Sequence, residues 1–138
     1  MAKPLSDAHD IYAGVSYVLI YNWKIAGVTS IIYGLDPTYL KIDGQWKNRI
    51  KAHYATLHRV AVSSNFRGAH LSDYLFSNVI SQVLRNGCHD IRIDTHPDNK
   101  IMQHLITSQG FQKAGIIQTE HPGQKATNRD RLAYQLTF

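Results

Sequence analysis

Apolar positions along the chain fall into blocks with two different periods. Leu71, Leu75, Phe76, Val79, Ile80, Val83 and Leu84 recur at helical spacing and stop at Asn86-Gly87, which predicts an amphipathic helix. In "PDNKIMQHLITSQGF" a second helix is predicted, with Asp98 or Asn99 as cap and Ile101, Met102, Leu105 and Ile106 as its buried stripe. Gly110 then Phe111 fits a left-handed stop followed by a hydrophobic contact back onto the last turn. The other blocks are β-branched and aromatic. "VSYVLIYNWKIAGVTSIIYG", with its polar break at Asn22 to Lys24, predicts a hairpin with strands near 15–21 and 25–33. "YATLHRVAV" is a third strand, "DIRIDT" alternates as a fourth, and "FQKAGIIQ" and "RLAYQLTF" close the chain as two strands joined by the polar loop 119–130. At the front, "SDAHDIYAG" predicts a short helix at 6–13 between Ser6 as cap and Gly14 as stop. "LDPTYLKIDGQWKNRIKAH", with Pro37 and Asp43-Gly44, carries turn and loop signals. The order is that of a mixed α/β domain built on one sheet.

Composition narrows what such a domain does. With 138 residues, 43% of them hydrophobic, the chain is long enough for one well-filled core and is expected to be a single domain over 1–138. No apolar run approaches the roughly 20 residues of a membrane span, and no secretory leader is visible, so a cytoplasmic protein without a membrane partner is expected. The single cysteine, Cys88, has no partner for a disulfide and no metal-site spacing; no metal is expected. Fifteen Lys and Arg face ten Asp and Glu, a balance that favours a polyanionic partner. The basic residues are scattered rather than concentrated, which argues for a phosphorylated cofactor over nucleic acid.

One junction shows where such a phosphate would sit. In "VAVSSNFRGAHLSDYLFSNVI" a strand passes into a helix through an arginine and a glycine. Helix starts leave unpaired N–H groups and carry the positive end of the helix dipole, so they suit anions.

The element order, together with "HRVAVSSNFRG", "IRIDTHPDN", "SQGF" and the closing "RLAYQL", resembles the GNAT superfamily of acyl-CoA-dependent N-acyltransferases over about Asp10 to Phe138. The resemblance implies a mostly antiparallel mixed α/β sheet with helices on both faces and two strands that splay to admit acyl-CoA. It further implies that the pantetheine arm pairs with the backbone of Val60, Ala61 and Val62, and that the pyrophosphate lies on the amides after Arg67. The family signature Arg/Gln-x-x-Gly-x-Gly/Ala falls on Arg67, Gly68, Ala69, His70, Leu71 and Ser72, so that His70 and Ser72 stand where the family has glycine or alanine. Thr95, Asn99 and Met102 complete the cofactor-facing set that the resemblance implies. Family members begin with a further strand and a helix pair; here the first strand and first helix look to be lacking. An uncovered sheet edge of that kind suggests a homodimer.

Acyl transfer from a thioester to an amine requires a neutral amine, hence a base. Many relatives use a glutamate on the third strand, whereas the one glutamate here, Glu120, lies in a loop. His58, two residues before Val60, is expected to share a face with it by the two-residue strand period. Histidine exchanges protons near neutral pH, and arylalkylamine N-acetyltransferases, which this strand resembles, carry an active-site histidine at the matching position. The alternative is a half-buried strand histidine bonded to backbone. Of the other histidines, His70 belongs to the phosphate loop and His96 to the strand end before Pro97. The tyrosine acid found in many relatives is replaced by Ile106; Tyr134 is a substitute or, more simply, core. The resulting expectation is transfer of an acetyl or short acyl group from acetyl-CoA to an amine whose identity the sequence does not specify. Three rivals are a catalytically impaired coenzyme A binding regulator, a basic nucleic-acid-binding α/β domain, and the catalytic half of a larger assembly whose front end is supplied in trans.

Overall fold

The computed structural model describes residues 2–5, 15–47, 53–63, 70–119 and 129–138. Eight strands form one sheet in the order β1-β2-β3-β5-β6-β8-β7-β4. In chain order these are β1 (Ala2–Leu5), β2 (Val15–Tyr21), β3 (Lys24–Tyr33), β4 (Ile42–Gly44), β5 (Ala55–Val62), β6 (Asp90–Thr95), β7 (Gln112–Gln118) and β8 (Asp130–Thr137). Helix α1 (Leu71–Arg85) joins β5 to β6, and α2 (Lys100–Ser108) joins β6 to β7. All pairings are antiparallel except β5 with β6, as the crossover through α1 requires.

Several expectations change. A strand does precede the hairpin: β1 pairs antiparallel with β2, from Ala2 opposite Leu19 to Leu5 opposite Ser16. The first strand is therefore present; it pairs with β2 and itself forms one edge of the sheet. Its four-residue length and Pro4 left little periodicity to detect. The helix expected at 6–13 lies outside the described residues. Ile42–Gly44, expected as loop, is an edge strand on β7, where Gly44 faces Gly115 so closely that a Cβ on either would meet backbone oxygen at 2.2 Å. The turn signal of Asp43-Gly44 in fact reflects this close approach.

Both helices pack on one face of the sheet. Leu71, Leu75, Phe76, Val79 and Val83 of α1 and Ile106 of α2 join Ile31, Ala55, Leu57, Ile91, Ile93 and Tyr134 in one cluster. Helices on both faces are thus not seen among the described residues. The α2 stripe is also narrower than its periodicity suggested, since Ile101 is 74% exposed while Met102 and Leu105 pack against the core. Gly110 is left-handed after α2, as predicted, and Phe111 meets Phe76 of α1 edge-on at 6.2 Å.

The opposite face is covered by the segment 34–47, which includes a 3-10 turn at Pro37–Tyr39. Tyr39, Trp46, Tyr54, Ile117 and Ala133 form its core. At its centre lies Arg92, 4% exposed, with its guanidinium 4.3 Å from the Trp46 ring and 3.8 Å from the Tyr54 ring. Arg92 also pairs with Asp90 at 3.1 Å, and Gln135 donates to the same carboxylate while accepting from the Lys47 backbone N–H. A buried charge is tolerated only when paired and hydrogen-bonded, and here both conditions hold.

Helix α1 starts unusually. Its cap, His70, is left-handed at φ 54 and makes no side-chain capping bond. Asp73 in the first turn complements the helix dipole instead.

Two substitutions test this packing. A left-handed residue with a side chain costs about 1–2 kcal/mol that glycine avoids, so His70→Gly should raise unfolding stability by about 1 kcal/mol after its greater chain entropy is subtracted. A loss in urea titration would contradict the assignment of His70. Arg92→Met leaves Asp90 buried without its counter-charge and should lower stability by about 3–5 kcal/mol, whereas a loss under 1 kcal/mol in the same titration would mean that Arg92 is not the hub of this face.

Candidate functional site

Strands β5 and β6 pair through Ala55, Thr56 and Leu57 against Ile91, Arg92 and Ile93, and not beyond. Past that point they part, and a cavity of about 250 Å³ lies between them, lined by Leu57, Val60, Asp94, Thr95, Asn99 and Met102 among others. The other edge of β5 remains on β3, with Ala61 opposite Val28 and Val62 opposite Gly27. Between these two regions sits a bulge: Arg59 is left-handed at φ 56, and the β3 register shifts between Val28 and Ser30.

The bulge corrects one expectation about His58. Val60 and Val62 pack against the same cluster as Ala55 and Leu57, because the extra residue at Arg59 breaks the two-residue alternation. His58 faces the other side of the sheet, into a second and larger cavity, and so does not share a face with Val60.

This second cavity, an open groove of about 1300 Å³, runs along the 34–47 segment and is walled by Asp36, Tyr39, Asp43, His58, Asp94 and Asp130 with several neighbours. Local chemistry holds the wall in place. Asp36 caps the 3-10 turn by accepting from the Thr38 N–H at 2.9 Å, and its own N–H donates to the Tyr54 hydroxyl at 2.7 Å. Trp46 donates its indole N–H to the Tyr39 carbonyl at 3.0 Å, which fixes the next residues of the turn.

Two titratable pairs face the groove. His58 Nε2 lies 3.3 Å from Asp36 Oδ2, an ion-pair approach rather than an aligned hydrogen bond. The His58 imidazole beside Asp36 holds that carboxyl below the usual carboxylate range, against the opposing effect of burial. Tyr39 donates its hydroxyl to Asp94 Oδ1 at 2.6 Å. Burial pushes the Asp94 carboxyl above the usual range, opposed by the Tyr39 hydroxyl, His58 and Arg131. Burial also pushes the Tyr39 phenol well up, so the phenol keeps its proton and remains the donor.

Of the signature residues, Arg67, Gly68 and Ala69 lie outside the described residues. The His70 side chain is turned to solvent, 3.7 Å from Asp73, while Leu71 is buried in the core and offers a phosphate only its backbone. Ser72 is half-buried in the first turn of α1. Val60, Thr95, Asn99 and Met102 gather at the smaller cavity; Ala61 is exposed and Val62 half-buried nearby on β5. Asn99 caps α2 by accepting from the Met102 N–H at 3.0 Å. His96 Nδ1 accepts from the Asp98 N–H, a turn contact, and Tyr134 is core beside Ile106. Among the described residues no group of three or more His, Cys, Asp or Glu side chains is arranged to hold a metal ion. No helix among them is long and apolar enough to cross a membrane.

Asp36, Tyr39 and Asp94 were missed in the sequence. Asp36 had a usable signal, an aspartate before Pro37 as a turn cap, and Asp94 shares the alternation of "DIRIDT" with Arg92, which puts both on one face. Tyr39 had none.

Comparison with known proteins bears on this arrangement. A search of curated proteins found no match. Among solved structures, a GNAT family acetyltransferase from Streptococcus agalactiae is 31% identical with a TM-score of 0.69, covering 89% of this chain; this chain spans just under two thirds of that one, 65%. An acetyltransferase from Bacillus subtilis in complex with CoA is 16% identical, with a TM-score of 0.65 and coverage of 93% and 79% of the two chains. A GNAT family acetyltransferase from Elizabethkingia anophelis with acetyl-CoA bound is 13% identical, with a TM-score of 0.68 and coverage of 100% and 97%. These last two likenesses are of fold. The family model described as Acetyltransferase (GNAT) family matches residues 3–111, most of the chain, and the parted strands β5 and β6 give the match a structural counterpart: this chain belongs to the GNAT acetyltransferase family.

Proposed function

We propose that this chain is an N-acetyltransferase that moves an acetyl or short acyl group from acetyl-CoA to an amine by direct attack. The observation that carries the reading is the junction of two cavities on opposite sides of the parted strands, one suited to a narrow donor arm and one to an acceptor. In the donor cavity the β6-facing edge of β5 beyond Leu57 is unpaired with β6, so its backbone groups are available to the amide groups of a pantetheine arm. Arg67 and the amides of residues 68–72 at the start of α1 receive the pyrophosphate in this reading. The Bacillus subtilis and Elizabethkingia anophelis structures, solved with CoA and acetyl-CoA, support a CoA-type donor.

His58 is the base in this mechanism and Asp36 its positioning residue. In this mechanism the Asp36 carboxylate, 3.3 Å from Nε2, favours the tautomer with its proton on Nε2, which leaves Nδ1 to accept a proton from the acceptor. The freed lone pair attacks the thioester carbonyl carbon; the N–C bond forms as the C–S bond breaks, and the extra proton left on the acylated nitrogen passes to the departing thiolate. The carboxylates Asp36, Asp43, Asp94 and Asp130 in the groove favour a cationic acceptor, with Lys41 the opposing charge.

Acetyl-CoA at a hundred times its Kd should stabilise the fold by about 2.7 kcal/mol, read as a rise in Tm. A rise with duplex DNA or RNA and none with acetyl-CoA would favour the nucleic-acid reading. His58→Gln should lower kcat/KM about 10²- to 10⁴-fold and remove the ascending limb of its pH profile, with acetyl-CoA affinity retained. A destabilised variant with normal turnover and the same limb would make His58 a structural histidine.

A further inference from the structure

We propose that Tyr54 is a positioning residue for His58: its phenol clamps the Asp36 peptide, and that clamp presents one Asp36 carboxylate oxygen to the imidazole. This inference rests on the proposed role of His58 as the base and deepens it.

Tyr54, the residue before β5, grips the 34–47 segment twice. Its carbonyl accepts from the Gly34 N–H at 3.0 Å. Its hydroxyl accepts from the Asp36 N–H at 2.7 Å and directs its own proton at the Asp36 carbonyl, 3.4 Å away. The ring has no room to swing out of this position. It is 2% exposed, the Arg92 guanidinium lies 3.8 Å from its centroid, and it stacks on Tyr39 at 6.3 Å.

Capping of the three-residue 3-10 turn fixes Asp36 only relative to its own neighbours, through Oδ1 to the Thr38 N–H at 2.9 Å and the carbonyl to the Tyr39 N–H at 2.9 Å. The Tyr54 hydroxyl is the contact at Asp36 that fixes it relative to β5, the strand that carries His58. Oδ2 is then the oxygen left to face His58 Nε2 at 3.3 Å.

The histidine shows why the clamp matters. His58 is held at its backbone, where its carbonyl accepts from the Thr29 hydroxyl at 3.3 Å, but Nε2 is withdrawn from solvent and makes no aligned hydrogen bond. The charged and titratable groups that line the groove with it are Asp36, Tyr39, Lys41, Asp43, Asp94 and Asp130, while its neighbour Arg59 lines the other cavity. Among the described residues Asp36 alone comes within ion-pair distance of the ring. An imidazolium formed at His58 therefore has one counter-charge, at a distance set by where Tyr54 holds Asp36. A carboxylate that drifts away leaves the protonated Nε2 buried without a partner and makes His58 a weaker proton acceptor. The pairing already acts on the other partner, since the His58 imidazole holds the Asp36 carboxyl below the usual carboxylate range.

The test is a pH titration of the histidine ring signals by NMR in wild type, Tyr54→Phe, Asp36→Asn and the double variant, with the His58 signal assigned by its absence from His58→Gln. Tyr54→Phe keeps the ring and its Arg92 contact and removes the hydroxyl alone. The His58 midpoint should fall by roughly half to one pH unit in Tyr54→Phe and by at least as much in Asp36→Asn, as expected for weakening or loss of a nearby opposite charge. In the double variant it should equal that of Asp36→Asn, because without the carboxylate the clamp has nothing to present. A second measurement needs no variant: in the wild type the Asp36 amide should be protected from hydrogen exchange. An unchanged His58 midpoint in Tyr54→Phe, a further fall in the double variant, or an unprotected Asp36 amide overturns the inference. A phenol retained for packing alone would give the first of these, whatever its effect on Tm. The ascending limb of kcat/KM in Tyr54→Phe should follow the midpoint to lower pH. A limb that stays in place while the NMR midpoint moves would remove His58 as the base and leave the clamp standing, so the two failures are distinguishable.

Discussion

Strands β5 and β6 share three residue pairs and then separate, and the smaller of the two cavities lies in that separation. A parallel pair continued to the end of β6 would satisfy its backbone internally and leave no room for a ligand. The divergence instead exposes one edge of β5 while β3 continues to hold the other, so the gap is open without being loose. The bulge at Arg59 adds a second consequence: by breaking the alternation it sends His58 to one side of the sheet and Val60 to the other. Among the described residues, the two cavities share one lining residue, Asp94, at the end of the gap.

The larger groove depends on a different interaction. A segment with Pro37, Gly34 and Gly44 has little propensity to order itself, and a single 3-10 turn would not hold it. Arg92 does so from within the sheet, stacked between Trp46 and Tyr54 and tied through Asp90 and Gln135 to the Lys47 N–H. Tyr54 passes this order on to Asp36, and Trp46 passes it on to Tyr39. The two side chains that engage His58 and Asp94 are thus positioned by a cation on the same face of β6 as Asp94, whose burial is compensated by the aromatic rings and the carboxylate.

Periodic elements were legible in the sequence because burial on one face writes itself as spacing. The hairpin, α1, β6, α2 and the closing strands lie within a residue or two of their predicted limits. Short or aperiodic features were not legible. Four-residue β1 and three-residue β4 are shorter than any alternation can declare, and the second is fixed by a Gly44–Gly115 contact between residues distant in sequence. The bulge at Arg59 carries no glycine to mark it, so His58 was placed on the wrong face even though its strand was right. Asp36 and Asp94 were invisible as partners for the same reason: each is brought to the site by tertiary packing between elements. The His70 substitution in the signature was readable, and its left-handed backbone shows that the conformation usually served by glycine is kept despite the side chain.

Amide hydrogen exchange of the whole protein with and without acetyl-CoA tests the parted strands most directly. If the gap between β5 and β6 receives the donor, added protection should concentrate at Val60–Val62 and at Thr95–Met102, with β1 and β4 unaffected. Protection spread evenly over the sheet, or confined to the 34–47 segment with residues 60–62 unchanged, would contradict it.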